Sequence, residues 1–121
     1  MPKKIYRTAI YCRLSREDGD KVESNSIASQ RAICEDFISR HDDLEMVCEP
    51  FVDDGYSGVS FNRPSFKKLE DAIRKGGIDC IVVKDLSRFS RNYIDGGRYL
   101  EKIFPQLGIR FIAVNDAYDS L

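Results

Sequence analysis

The sequence predicts an α/β domain, a mostly parallel sheet of four to five strands flanked by helices. Three features point there: short apolar runs of strand character, helical stretches with one apolar stripe between them, and polar loops that follow the strands. Residues 7–13 (RTAIYCR) read as the first strand, and the polar stretch 15–25 reads as a loop. A helix is expected from about Ser26 to Arg40, with Ile27, Cys34, Phe37 and Ile38 as its apolar stripe. Asn25 or Ser26 can cap its first turn.

Residues 44–52 (LEMVCEPFV) read as a second strand, and DDGYSGVSFN after it as a loop. Arg63 and Pro64 open the next helix, where proline's missing N–H is harmless. Phe66, Leu69 and Ile73 repeat at helical spacing, and Gly76-Gly77 ends the run. The nearly continuous apolar run 78–84 suits a strand buried on both faces. KDLSRFSRN leads into a helix from about Tyr93 to Leu107, with Tyr99, Leu100, Ile103, Phe104 and Leu107 facing the core. Gly96-Gly97 leaves two readings open: the helix begins after them, or they permit close packing. Gly108 closes the helix, and IRFIAVN is the last strand.

Length and composition fit one domain. The 121 residues are 42% hydrophobic, 11% aromatic and 32% charged, which suits a globular core and excludes a disordered tail. No apolar run reaches the roughly 20 residues of a membrane span, and the N-terminus lacks a secretory signal, so a cytoplasmic protein is expected. Cys12, Cys34, Cys48 and Cys80 form no CxxC pair, and His41 is the one histidine. Buried reduced thiols are expected rather than a metal site, with His41 at the surface closing a helix. The net charge of −1 argues weakly against a free-standing nucleic-acid binder, so where the arginines sit matters more than the total.

In a mostly parallel sheet the site lies outside the carboxyl ends of the strands. Those ends carry Arg13-Leu14-Ser15, Asp53-Asp54, Lys84-Asp85 and Asn115-Asp116. No GxSxG, GxxxxGK[ST] or GxGxxG motif occurs, and a Ser-His-Asp triad would have to use His41, away from this edge. Arg13 and Ser15 are two apart at a strand end, which sets a guanidinium beside a hydroxyl. Arg88 and Arg91 share a face if their segment is helical. Arg63 opens a helix whose free N–H groups also favour anions. Four arginines converging on Ser15 could neutralise a phosphate and favour an alkoxide without a metal. On spacing alone the alternative stands that Arg88 and Arg91 form surface ion pairs and Arg13 is a strand-edge residue.

Four ordered motifs resemble the catalytic domain of the serine recombinase (resolvase/invertase) family. They are YCRLS (Tyr11 to Ser15), SIASQR (Ser26 to Arg31), FVDDGYSGVSFNRPSF, and VVKDLSRFSRN. The longer loop after Ser15 and SFNRPSF look more like the large serine recombinases of mobile elements than the small resolvases. The resemblance covers about residues 5–120 and implies DNA strand cleavage and rejoining by transesterification. Ser15 would be the nucleophile, and Arg13, Arg63, Arg88 and Arg91 would bind the phosphate. Gln30 would help orient the phosphate, and Asp53 would position an arginine. Double-stranded DNA would be the partner, in a dimer or tetramer of the full-length protein, with no metal, cofactor, small-molecule substrate or membrane involved.

One position departs from the family. An aspartate often precedes the arginine that falls on Arg88; here Ser87 stands there and Asp85 lies two residues earlier. Either Asp85 substitutes through another geometry or a different group handles the proton. Ser87 also supports an alternative, a catalytically inactive interaction domain of the same fold. A second alternative is a receiver-like phosphoacceptor using Asp53 or Asp54 with Lys84, which needs carboxylates to hold Mg²⁺. The family's interface helix and DNA-binding domains are expected beyond residues 1–121. DNA affinity grows with the number of phosphate contacts, so a mobility-shift assay on residues 1–121 should show weak, non-specific binding; tight site-specific binding would contradict this.

Overall fold

A computed structural model describes residues 4–15, 26–57 and 59–121. The expected loop over 16–25, Asn25 as a cap, and Gly58 lie outside the described residues. Among the described residues the sheet has six strands. Its centre is β1 (Tyr6–Leu14), which pairs in parallel with β4 (Cys80–Val83), Thr8 opposite Cys80. β5 (Arg110–Ala113) lies parallel to β4, and β6 (Tyr118–Asp119) closes that edge antiparallel to β5.

The single strand expected over 44–52 is two strands. β2 (Leu44–Met46) pairs with Tyr6–Thr8, and β3 (Phe51–Asp54) pairs with Tyr11–Leu14, both in parallel. The ladder breaks at 47–50, where Pro50 has no N–H to contribute. With the two-residue β6, which is too short to leave a periodic signal, the count rises above the four to five expected. β2 and β4 flank β1 in the strand order, so successive crossovers leave β1 in opposite directions. Such a reversal opens a crevice at the carboxyl end of the central strand, where Ser15 follows β1 and Lys84-Asp85 follow β4.

Alternation along the strands divides the core into two layers. Ala9, Tyr11, Ile81, Val83, Phe111 and Ala113 face one side; Ile10, Cys12, Cys80, Val82 and Ile112 face the other. α1 (Ile27–Ser39) covers the second face with Cys34 and Ile38 buried, and the Ser26 hydroxyl caps it by accepting from Ser29 N. Ile27 and Phe37 pack at its margin. His41 stacks on Phe37 with centroids 4.1 Å apart, and its Nδ1 lies 2.7 Å from the Phe37 carbonyl at the helix end. Burial pushes the Cys12 and Cys80 thiols up to about 12, so they stay protonated; none of the four cysteines is in a disulfide.

α2 (Pro64–Arg74) covers the first face with Phe66, Leu69 and Ile73, as their spacing requires. Gly76 ends this segment at φ +86°, a conformation that suits glycine. The helix expected over 93–107 forms as α4 (Tyr93–Arg98), a π-helical turn over Tyr99–Ile103, and α5 (Phe104–Gln106), with Gly108 at φ +72° closing it. Gly96 lies inside the helix, and a Cβ there would stand 3.1 Å from the Ser90 Cβ and Oγ, so close packing is the role of that glycine. Phe66, Phe89, Tyr99 and Phe104 build an aromatic cluster with centroid separations of 5.4 to 5.9 Å. Leu107 falls off the expected stripe and is 40% exposed.

No helix of the described residues is long and apolar enough to cross a membrane. At the amino ends of the strands, Arg7 makes a two-pronged pair with Asp79 at 2.9 Å on each side. Arg110 spans Asp43 at 2.9 Å and Asp119 at 2.6 Å. Hydrogen bonds from these arginines hold the Asp79 and Asp119 carboxyls below their ordinary value. A carboxyl depressed in the folded state stabilises the fold above its unfolded value and loses that contribution as pH falls through the folded one. The loss therefore belongs below about pH 4. The Asp79→Asn, Asp119→Asn double variant should show a flatter fall in Tm through this range than the wild type; equal slopes would contradict the assignment.

Candidate active site

Ser15 stands one residue beyond β1 and is almost buried, at 4% exposure. Arg13 continues the row of Ala9 and Tyr11 and carries its guanidinium into the loops at the crevice. Its Nε donates to the Arg88 carbonyl at 3.1 Å, Nη1 to Tyr56 O at 2.9 Å and Nη2 to Ser87 O at 2.6 Å. In return Arg88 Nη1 donates to the Arg13 carbonyl at 3.1 Å. The two arginines thus exchange side-chain donors for each other's backbone acceptors, which excludes the strand-edge reading of Arg13.

Gln30, fully buried on α1, treats Arg13 as a strand partner. Its Oε1 accepts from Arg13 N at 3.1 Å and its Nε2 donates to Arg13 O at 3.0 Å. Gln30 thus grips the backbone two residues before Ser15, the strand end at which it was expected to help orient a phosphate. The signal was present in the sequence: Gln30, Cys34 and Ile38 recur every four residues and mark a polar group on a buried stripe.

Arg63 is also fully buried. Its Nε donates to Ser60 O at 2.8 Å, and Nη1 donates to Phe89 O at 2.7 Å and to the Tyr11 hydroxyl at 3.3 Å. The guanidinium lies 4.6 Å from the Phe61 ring centroid. Tyr11 donates in turn to Asp53 Oδ2 at 2.8 Å. Burial pushes the Tyr11 hydroxyl well above its ordinary value, so it keeps the proton it donates. Asp53 therefore touches Arg63 through Tyr11, a residue that the sequence offered only as part of a motif.

Asp53 also corrects the expectation of free N–H groups at the start of α2. Arg63, at the cap position, makes no capping bond; Asp53 accepts from Ser65 N at 2.9 Å and Phe66 N at 2.9 Å instead. That carboxylate is thereby committed, which removes it as a receiver-like phosphoacceptor. No cluster of potential metal ligands occurs among the described residues.

Arg88 lies in a short helix, α3 (Leu86–Phe89), capped by Asp85, which accepts from Arg88 N at 3.1 Å. Ser90 is extended and ends the helix, so Arg88 and Arg91 do not share a helix face. Arg88 is buried, against the alternative of a surface ion pair there, and Arg91 is exposed. The Ser87 hydroxyl donates to Asp85 Oδ1 and stands 3.4 Å from Arg88 Nε and 3.2 Å from Nη2. Asp85 Oδ1 itself lies 3.6 Å from Arg88 Nε, and Lys84 Nζ lies 4.0 Å from Oδ2. Arg13, Arg63 and Arg88 are thus joined through the 87–89 backbone, with Arg91 on the exposed side of the same segment. The buried Lys84 went unassigned in the sequence apart from the receiver-like reading.

Removing Asp53 strands two helix N–H groups and the Tyr11 hydroxyl. Asp53→Ala should lower unfolding free energy by about 3 kcal/mol, whereas the exposed Asp54→Ala should change it by less than about 0.5 kcal/mol. Urea denaturation of both variants checks this, and equal effects would refute it.

The family model for the resolvase N-terminal domain matches residues 8–121. A putative DNA recombinase of Bacillus subtilis (strain 168) is 31% identical over 87 residues, covering 72% of this chain and 16% of that protein's length. The N-terminal catalytic domain of TP901-1 integrase superposes with a TM-score of 0.81 at 26% identity, over 94% of this chain and 81% of that one. A resolvase family site-specific recombinase from Streptococcus pneumoniae gives 0.73 at 30% identity, over 97% and 76%. With a six-stranded sheet of this topology and a match over nearly its whole length, the chain belongs to the resolvase family, as its N-terminal domain.

Proposed function

We propose that residues 1–121 act as the catalytic domain of a site-specific DNA recombinase, with Ser15 as the nucleophile. The observation that carries this reading is the group of buried guanidiniums, Arg13, Arg63 and Arg88, knitted together at the strand end that Ser15 follows. Similarity to two recombinases and an integrase catalytic domain supports it.

In the proposed step Ser15 Oγ loses its proton and attacks a DNA phosphorus. The new O–P bond replaces the bond to the departing 3′ oxygen, which takes up a proton and leaves as a hydroxyl. The product is a 5′-phosphoserine, and reversal of the step rejoins strands without an external energy source. Charge building on the non-bridging oxygens needs fixed cations, and guanidiniums supply them without further reorganisation. Arg88 and the exposed Arg91 meet the phosphate in this reading; Arg13 and Arg63 hold the loops and add positive potential. The partner is double-stranded DNA, the working assembly is a dimer or tetramer of the full-length protein, and the reaction takes place in the cytoplasm.

The test uses full-length protein and a nicked duplex carrying the ends of the DNA element that encodes it. The nick lets a short strand diffuse away and traps any covalent complex. A protein–DNA adduct should form and should vanish with Ser15→Ala. Absence of adduct from the wild type, or its persistence in the variant, would defeat the reading and favour an inactive interaction domain.

A further inference from the structure

We infer that Asp85, acting through the Ser87 hydroxyl, is a positioning residue for Arg88. This rests on the proposed role of Arg88 at the phosphate. The hydrogen-bond chemistry permits one direction only. A carboxylate accepts and a guanidinium donates, so the single Ser87 proton goes to Asp85 Oδ1, and the Ser87 oxygen accepts from Arg88. The observed geometry agrees: Ser87 Oγ bonds Asp85 Oδ1 and lies 3.4 Å from Arg88 Nε and 3.2 Å from Nη2.

The guanidinium is thereby held along two edges. The Arg13 carbonyl takes Nη1 at 3.1 Å, and Ser87 takes the Nε–Nη2 edge. The first contact ties Arg88 to the strand that leads to Ser15; the second fixes the rotation of the plane. Negative charge on Asp85 polarises the Ser87 hydroxyl and makes its oxygen a better acceptor for the cation. Lys84 Nζ, 4.0 Å from Asp85 Oδ2, faces the other carboxylate oxygen, so the carboxylate sits between two buried cations. Together Asp85 and Ser87 deliver to Arg88 the contact that one adjacent carboxylate would make.

A purely structural role for Asp85, capping α3, predicts something different. The cap bond runs from Arg88 N to Asp85 Oδ1 and does not involve Ser87. Ser87→Ala should therefore leave Tm and DNA affinity close to wild type while slowing single-turnover adduct formation roughly 10- to 100-fold. Ser87→Thr keeps the hydroxyl and should recover most of the rate. Asp85→Asn keeps an acceptor for the cap but loses the charge, and should slow adduct formation with a smaller change in affinity.

The assay is adduct formation by the full-length protein on the nicked duplex, with affinity from mobility shifts and Tm from thermal melts. If the wild type forms the Ser15-dependent adduct and Ser87→Ala does so at the same rate, this inference falls alone. It also falls if the loss in Ser87→Ala tracks an equal loss of Tm, or if Ser87→Thr fails to recover rate. If the wild type forms no adduct, both this inference and the reading beneath it are overturned.

Discussion

Three guanidinium groups lie almost out of water at one edge of the sheet, and a buried cation is tolerated only where its N–H groups are met. Among the described residues, backbone carbonyls accept from each of the three. Arg13 uses Tyr56, Ser87 and Arg88; Arg63 uses Ser60 and Phe89; Arg88 uses Arg13. A carbonyl acceptor satisfies a donor without cancelling the charge of the guanidinium. The loops after β3 and β4 are accordingly shaped around the arginines.

Carboxylates still take part, at one remove. Asp53 meets Arg63 through Tyr11, and Asp85 meets Arg88 mainly through Ser87. In each case a hydroxyl bonds both the anion and the cation, and Asp85 Oδ1 also lies 3.6 Å from Arg88 Nε. A shared hydroxyl transmits orientation from the anion to the cation. Asp53 combines this with capping α2, which couples the start of a helix to the placement of a cation.

Much of the fold was legible because it follows from repeating patterns. The stripe Phe66, Leu69 and Ile73, the Ser26 cap, and the glycines at 76 and 108 each act locally, and local sequence carries them. The division of 44–52 into two strands was signalled by Pro50 but masked by apolar residues on both sides. Density and position pointed to Arg13, Arg63 and Arg88, which the structure joins through the 87–89 backbone. Where their side chains end was not legible, since most acceptors are main-chain oxygens supplied by residues of any type. Tyr56 and Phe89 contribute carbonyls, and no pattern of side chains marks them. The link from Tyr11 to Asp53 spans 42 positions and depends on the register of β1 and β3.

The π-helical turn between α4 and α5 shapes the long helix in a way that a regular spiral could not. Phe104 N bonds the Tyr99 carbonyl, five residues back, just before Pro105 removes the next donor. The widened turn brings Tyr99 and Phe104 onto one side, 5.4 Å apart, and shifts everything beyond it out of phase. Leu107 is turned outward as a result. The turn divides the helix into two stretches, one with Gly96 against Ser90 beside Arg91 and the other with Phe104 in the aromatic core. Lengthening or shortening the chain within that turn would displace Tyr99 and Ile103 from the core they pack against.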